Sequence, residues 1–432
     1  MASGEASFDS TLIGNSIWLN GSDDYLTKTP SSAGNRTRWT LAWWFQLNKF
    51  STEMAFFSAN TSTNEFRIAF EATGQLMVQD DNASMNLLTS ALLRDVGWYH
   101  CIVSFDSNAA ETSRLKIYIN GSEQTLTTGS AAWPSSAGET FWNNNQANEI
   151  GRRSRTTSVY MNAYMTQVCF LDADSIQNGD VAVSDFLDTF TFGTNGSQFI
   201  PKKDSEIAAL ASAAGTNSFC LDFADSSGTN AVNLGNDIST KNNDYTPTNM
   251  SSVNQSIHTP SNVYPKISEI GRPSGSTAAS YSMSNGSNRM TYSGAAQAAF
   301  GLVSDKVIQA DDPKIYWEFY VEAGSIGGSS GGRLGNGIVV PQFNANQSNG
   351  FYGSGGESAY FQRDAMYDNG SASVSGLTPV AVGGFQQMAF EPSTGKVWIG
   401  QDGTWRNGSA TASTTLNIDN HDDQLTVQDY IF

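Results

Sequence analysis

The sequence predicts an all-β chain: two antiparallel β-sandwiches joined by an extended linker. Three observations predict it. At 432 residues the chain exceeds the roughly 250–300 residues at which single hydrophobic cores stop growing. Amphipathic helical periodicity is scarce, while short alternating or aromatic-rich runs bounded by Gly, Asn, Asp and Ser recur at spacings suited to antiparallel strands. Between 226 and 280 the texture changes, with Asn, Ser, Thr and Pro dominating and few large apolar residues together. Sheets of this size bury one face against another, which gives domains at 1–225 and 281–432 and a connector at 226–280.

In chain order, the first half predicts strands at Ser16–Leu19, Trp39–Leu47, Phe66–Phe70, Leu76–Gln79, Trp98–Phe105, Leu115–Ile119, Tyr160–Leu171 and Phe219–Phe223. Leu115–Asn120 alternates apolar and polar residues, and Asn120-Gly121 then supplies a turn dipeptide that tolerates positive φ, so a hairpin is expected there. Two segments are expected as helices decorating the sheets: Val181–Phe190, and Asp204–Ala214, capped by Asp204 and ended by Gly215. In the connector, Leu234, Tyr245, Ile257, Val263, Tyr264 and Ile267 are spaced to dock singly on a neighbouring surface. The last third returns to strands at Tyr281–Tyr292, Lys314–Glu322, Gly337–Phe343, Ser358–Phe361, Val380–Phe390, Lys396–Gly400 and Gln424–Ile431. Its clearest feature is the hairpin Gln387–Ile399 about the turn Glu391–Gly395.

Composition limits the chemistry. Ser, Thr and Asn number 55, 36 and 36, whereas charged residues make up only 15% of the chain, so the surface is polar but weakly charged. With 10 Trp, 15 Tyr and 24 Phe there is aromatic mass enough to fill cores, which argues against wholesale disorder. The net charge of −18 has the wrong sign for phosphate backbones or anionic lipid. Neither nucleic acid nor membrane insertion is expected. Cys101, Cys169 and Cys220 are an odd number at wide spacing, with no Cys-x-x-Cys pair, and are expected as buried apolar residues. The start of the chain lacks an apolar signal-peptide core, so folding in a cytoplasm is expected.

No catalytic constellation stands out. The glycine-rich run Gly324–Gly337 lacks Gly-Lys-Ser/Thr and leads into a strand, so it reads as an inter-strand loop rather than a phosphate cradle. The three histidines are His100, in a strand pattern, and His258 and His421, in polar sequence without a Gly-x-Ser-x-Gly elbow. The carboxylate pairs Asp23/Asp24, Asp80/Asp81, Asp311/Asp312 and Asp422/Asp423 are adjacent, and adjacent strand residues point to opposite faces, so none is by itself a glycosidase couple. No catalytic residue and no metal ligand is assigned. Calcium is the one cofactor left open, through the oxygen-rich loops Asp80–Asn82 and Asn233–Asp244, neither of which has the EF-hand pattern. Trp133 and Trp142, in loop-like sequence, are the candidate ligand-binding residues, since exposed rings at a sandwich rim stack on sugars.

The run Asn15–Leu26, with Trp39–Phe45, Gly97–Asp106, Leu115–Gly121 and Glu149-Ile-Gly151, resembles the laminin-G-like, concanavalin A-like jelly roll over about residues 10–225. Asn233–Pro247 followed by His258–Asn262 is similar to a segment found after this domain in virion proteins of marine tailed phages. Downstream, Tyr316-Trp-Glu-Phe-Tyr320, Gly350-Phe-Tyr-Gly353, the hairpin around Thr394-Gly-Lys-Val-Trp398 and Asp402-Gly-Thr-Trp405 resemble SPRY domains, with Asp402 where that family has Asn. Both folds are recognition sandwiches whose binding loops do not transfer by motif. The resemblances imply a non-enzymatic phage virion protein, a tail fibre, appendage or capsid-surface component. Its partners would be other virion proteins and a host-surface glycan or protein, and it would act as a homo-oligomer. A carbohydrate-active depolymerase and an architectural module without a ligand are the alternatives.

Overall fold

The run Arg38–Leu47 shows why the first half folds as it does. Trp39, Leu41, Trp43, Phe45 and Leu47 enter the main core, while Ala42 and Trp44 enter two smaller clusters on the opposite face. A strand buried on both faces is written as a nearly continuous apolar run.

The computed structural model describes residues 12–262 except 49–52, 94–96, 131, 154, 156–158 and 192–196. Beyond them it describes 267–268, 281–284, 289–292, 303–304, 307–312, 314–322, 335–339, 358–362, 365–368, 371–375, 380–406, 408, 413–417, 419–425 and 430–431. The chain divides into two units, Met1–Tyr264 and Pro265–Phe432.

The first unit contains β1 (Ser16–Asn20), β2 (Tyr25–Lys28), β3 (Arg38–Leu47), β4 (Met54–Asn60), β5 (Glu65–Phe70), β6 (Leu76–Asp80), β7 (Met85–Thr89) and β8 (Tyr99–Asp106). There follow β9 (Leu115–Ile119), β10 (Ser122–Glu123), β11 (Leu126–Thr128), β12 (Asn148–Ile150), β13 (Arg152–Arg153), β14 (Val159–Tyr160) and β15 (Asn162–Asp172). The unit closes with β16 (Leu187–Thr191), β17 (Ser197–Pro201), α1 (Asp204–Ala213), β18 (Phe219–Leu221), β19 (Thr246–Thr248) and β20 (Gln255–Ser256).

Two antiparallel sheets form the sandwich. The first runs β10-β9-β8-β3-β15-β1-β20, with β18 also on β15, and the second runs β11-β7-β6-β5-β4-β12-β2-β19. Their facing surfaces meet in an aromatic core in which Trp39 contacts Phe66 edge-on at 5.7 Å and Phe105 face-on at 5.5 Å. A bulge in β4 between Ala55 and Phe57 turns two successive rings, Phe56 and Phe57, onto Trp43. The expected hairpin is present: Ile119 pairs with Ser122, and Asn120 and Gly121 take φ of 47° and 76°, the two positive values that a tight two-residue turn requires.

The helix α1 lays Ile207, Ala208 and Ala211 over Ala42, Cys169, Leu171 and Cys220 on the outer face of the first sheet. Its start differs in detail from the expected cap: Asp204 accepts from the Gln167 side chain at 2.9 Å, while Glu206 holds the Lys203 N–H. The other expected helix, Val181–Phe190, is only a single turn at Val183–Asp185, closed by Asp185 on the Ala182 N–H. Its remainder is β16, which pairs with β17. The alternating Thr-Phe-Thr-Phe sequence there suits a strand better than a helix.

Residues 226–262, expected as connector, run with the first unit. Leu234 and Tyr245 are buried in its core, β19 pairs with the edge strand β2, and β20 pairs with the edge strand β1. The segment is polar because its side chains fold its own turns. Asp237 alone accepts from the N–H groups of Cys220, Ser239 and Asn243 and from the Ser239 hydroxyl. Gly235 is required where the chain doubles back, since a Cβ there would lie 1.7 Å from the Tyr245 carbonyl oxygen.

In the second unit, one sheet follows the order Ile315–Tyr320, Phe385–Glu391, Lys396–Gln401, Thr404–Trp405, with Asp423–Gln424 on Lys396–Gln401. Trp317, Met388, Phe390, Val397 and Ile399 from this sheet form a core with Ile308 and Leu425. The hairpin expected about Glu391–Gly395 is present, its turn closed by the Gly395 N–H on the Glu391 carbonyl at 2.8 Å. A second sheet of six strands includes Val307–Ile308, Gly335–Val339 and Ser358–Gln362. The glycine-rich run expected as a loop lies, at 324–334, outside the described residues.

Candidate functional site

On the second sheet of the first unit, the residues that alternate with the core positions form a polar row. The register places Thr246, Thr27, Glu149, Ser58, Arg67, Gln79 and Asn86 side by side on seven consecutive strands, β19-β2-β12-β4-β5-β6-β7. Their sequence neighbours Leu26, Ile150, Phe57, Phe66, Ile68, Val78 and Leu87 all point into the core. Alternation on pleated strands therefore builds the row, each strand supplying one member.

The row is held by charged groups above it. Arg67 donates to the Gln79 side-chain oxygen at 3.1 and 2.9 Å and pairs with Glu53. The chain then crosses this face at β13, where Arg153 grips the fully buried Glu65 with two bonds of 2.6 and 3.0 Å. Arg152 pairs with Glu149 and stacks its guanidinium 3.6 Å from the centre of the Tyr25 ring. Arg155 bonds Asp81 and the Thr63 carbonyl, each at 2.7 Å. Planar two-point pairing of this kind suits buried carboxylates and fixes their orientation. Glu71 differs. One of its oxygens is buried without a hydrogen-bond partner among the described residues, and burial, then the nearby Glu53, push its pKa up.

Chemically the face offers hydroxyl, amide and guanidinium groups in fixed positions. Thr27, Arg67 and Gln79 are half-buried and Thr246 is exposed, and Arg67 and Gln79 combine a set orientation with access to solvent. Glu53, Glu65, Glu149 and Asp81 are each paired with arginine.

The two tryptophans read as ligand-binding part company. Trp142 is fully buried against Phe57, Phe66 and Phe170, at 5.9, 5.4 and 5.9 Å, and presents no surface to a ligand. Its loop wraps the end of the sandwich and drives the ring inward. Trp133 is half-buried against the core. Its loop is held to the Asn86 end of the row, by the Gly129 N–H on the Asn86 carbonyl and the Ser135 N–H on the Ala83 carbonyl.

The two oxygen-rich loops direct their carboxylates at N–H donors. Asp80 holds the Ala83 and Phe141 N–H groups, Asp81 holds Arg155 and the Glu65 N–H, and Asp237 organises its own loop as described. His100 is buried with its ring 4.9 Å from Trp44, and burial lowers its pKa to about 3. His258 is buried between Tyr164 and Trp98 and bonds Gln46. Both are packing residues, neutral at physiological pH in the case of His100.

Residues 20–177 match the concanavalin A-like lectin/glucanases superfamily. The match lies within the first unit, whose two antiparallel sheets form a sandwich of the concanavalin A-like kind. Partial similarity to solved structures includes a heptameric SAP-like pentraxin from Limulus polyphemus (12% identity, 40% of this chain and 83% of that chain, TM-score 0.29). It also includes the Ruminococcus gnavus IT-sialidase CBM40 bound to α2,3 sialyllactose (11%, 38% and 92%, 0.27) and the enzymatically active domain of bacteriophage CBA120 tailspike protein 2 (9%, 36% and 25%, 0.25). No curated protein matches the chain. Six of the seven members of the polar row, all but Thr246, fall within the matched residues 20–177.

Proposed function

We propose that the chain is a non-enzymatic structural protein of a tailed-phage particle that recognises a host-surface glycan through the outer face of its second sheet. The observation that carries this reading is the polar row from Thr246 to Asn86 on a concanavalin A-like domain. Saccharides present hydroxyls that donate and accept. The row meets them with Thr27, Arg67 and Gln79, and the rotamers of Arg67 and Gln79 are already set by neighbours, so little of their side-chain entropy is lost on binding. The carboxylates nearest the row are occupied by arginines, which favours binding over acid–base chemistry.

Affinity at one such face is weak and is multiplied by copy number in a homo-oligomer on the particle. The sequence of Asn233–Pro247 and His258–Asn262 supports the virion setting, with folding in the host cytoplasm before assembly. The strand Ile315–Tyr320 and the hairpin through Thr394-Gly-Lys-Val-Trp398 support a SPRY-like second unit. A mass-spectrometric inventory of purified virions tests the assignment. The chain is expected there in many copies, and its absence from particles while abundant in the lysate would overturn it.

A further inference from the structure

On the strand Ile315–Tyr320 of the second unit, Ile315, Trp317 and Phe319 pack into the core. The alternate residues Tyr316, Glu318 and Tyr320 face outward, and the two tyrosines are 51% and 54% exposed. The register continues this face across the sheet: Tyr320 lies beside Phe385, and Glu318 lies beside Gln387, Gly400 and Trp405 in turn.

The rings are ordered. Tyr320 and Phe385 are 4.9 Å apart, and Tyr316 and Trp405 meet edge-on at 6.0 Å. Gly400 makes room for the Trp405 ring, which a Cβ there would meet at 3.1 Å. Between the rings, the Tyr316 hydroxyl donates to Glu318 at 2.5 Å and accepts from the Gln387 amide at 2.7 Å. The Gln387 oxygen is fixed in turn by the Gly403 N–H at 2.6 Å. Exposed aromatics arranged in this way are not the scattered surface apolar residues of ordinary proteins.

We propose that this face is a saccharide-binding strip for a neutral, extended glycan, separate from the polar row of the first unit. Two aromatic ends stand four residues apart on one strand, about 13 Å, with a carboxylate and an amide between them. Aromatic faces take the C–H faces of sugar rings, and the exposed Glu318 takes the hydroxyl edges, while the buried Gln387 holds the Tyr316 hydroxyl in place. The carboxylate on the strip, in a chain of net charge −18, disfavours anionic chains. Among the described residues the rings stand in two separate pairs, not as an enclosing cage for a cationic group. The strip rests on residues of the second unit alone and stands whether or not the first unit binds sugar.

The test is affinity electrophoresis of the full chain in gels containing hydroxyethylcellulose, galactomannan or xylan, with polygalacturonate and a polylysine peptide as charged controls. Retardation is expected in at least one neutral gel. Tyr316→Ala and Tyr320→Ala should each weaken it about tenfold, as loss of a stacking partner does, while Tyr320→Phe retains it. Saccharide should also shift tryptophan fluorescence, and Trp405→Phe should remove that shift. The inference fails if no neutral polysaccharide retards the chain, if binding ignores the tyrosine substitutions and follows Gln79→Ala instead, or if only a charged probe binds.

Discussion

Asp80 is fully enclosed, and its carboxylate holds the Ala83 and Phe141 N–H groups at 2.6 and 2.5 Å. Burial raises its pKa to about 7, and likewise raises Asp204 to about 7 and Asp24 to about 6. For such a group the folded state holds a proton that the unfolded chain has already released. Stability is therefore greatest at low pH and falls as pH rises toward the folded value. His100 acts oppositely, but only below its ordinary value of 6.5. Thus from pH 6.5 to 7.5 Asp80 and Asp204 dominate, each about half-titrated near 7 and contributing a slope of ~0.7 kcal/mol per pH unit, while Asp24, at about 6, has largely released its proton. Urea midpoints should fall across that window, and Asp80→Asn should make the fall shallower.

The tryptophans give a second comparison at this scale. Trp142→Ala should cost ~3–5 kcal/mol by leaving a cavity, whereas Trp133→Ala, at a half-buried ring, should cost under ~2 kcal/mol. Chemical denaturation separates the two. In sequence Trp142 looked loop-borne because Asn143-Asn-Asn145 follows it, yet a polar loop can still carry one anchoring ring into the core.

Among elements, Arg38–Leu47 and Leu115–Ile119 were legible because burial on one or both faces writes itself into consecutive residues, whereas Met54–Asn60 was not, its alternation broken by the bulge at Ala55–Phe57. The short strands Tyr25–Lys28, Asn148–Ile150 and Thr246–Thr248 were not. Three or four residues carry too little periodicity, and their partners are distant in sequence. The polar row was hidden for the same reason. Glu149, Ser58, Arg67, Gln79 and Asn86 become neighbours only through pairing, and each looks like an ordinary outward residue of its own strand. The segment 226–262 misled through composition: Asn, Ser and Asp there bond backbone groups within the strap. Asp237→Ala should therefore destabilise the first unit by about 3 kcal/mol or more, since four donors lose their acceptor, measured as a lowered thermal midpoint.

For the whole molecule, the acidic excess, which disfavours phosphate backbones and anionic lipid, concealed a local cluster of paired charges. Arg67, Arg152, Arg153 and Arg155 gather on one sheet face with their carboxylate partners. Net charge describes solubility and long-range fields, whereas recognition is decided by a few fixed groups. The second unit adds a face of different chemistry, aromatic where the first is polar. The measurement that bears most directly on the first face is glycan-array binding by the intact chain, made in a Tyr316→Ala/Tyr320→Ala background so that the second unit does not contribute. The prediction is saturable binding to host-surface glycans, weakened about tenfold or more by Gln79→Ala with Asn86→Ala while thermal unfolding stays cooperative. Absence of any glycan binding, or binding indifferent to both substitutions, would contradict it.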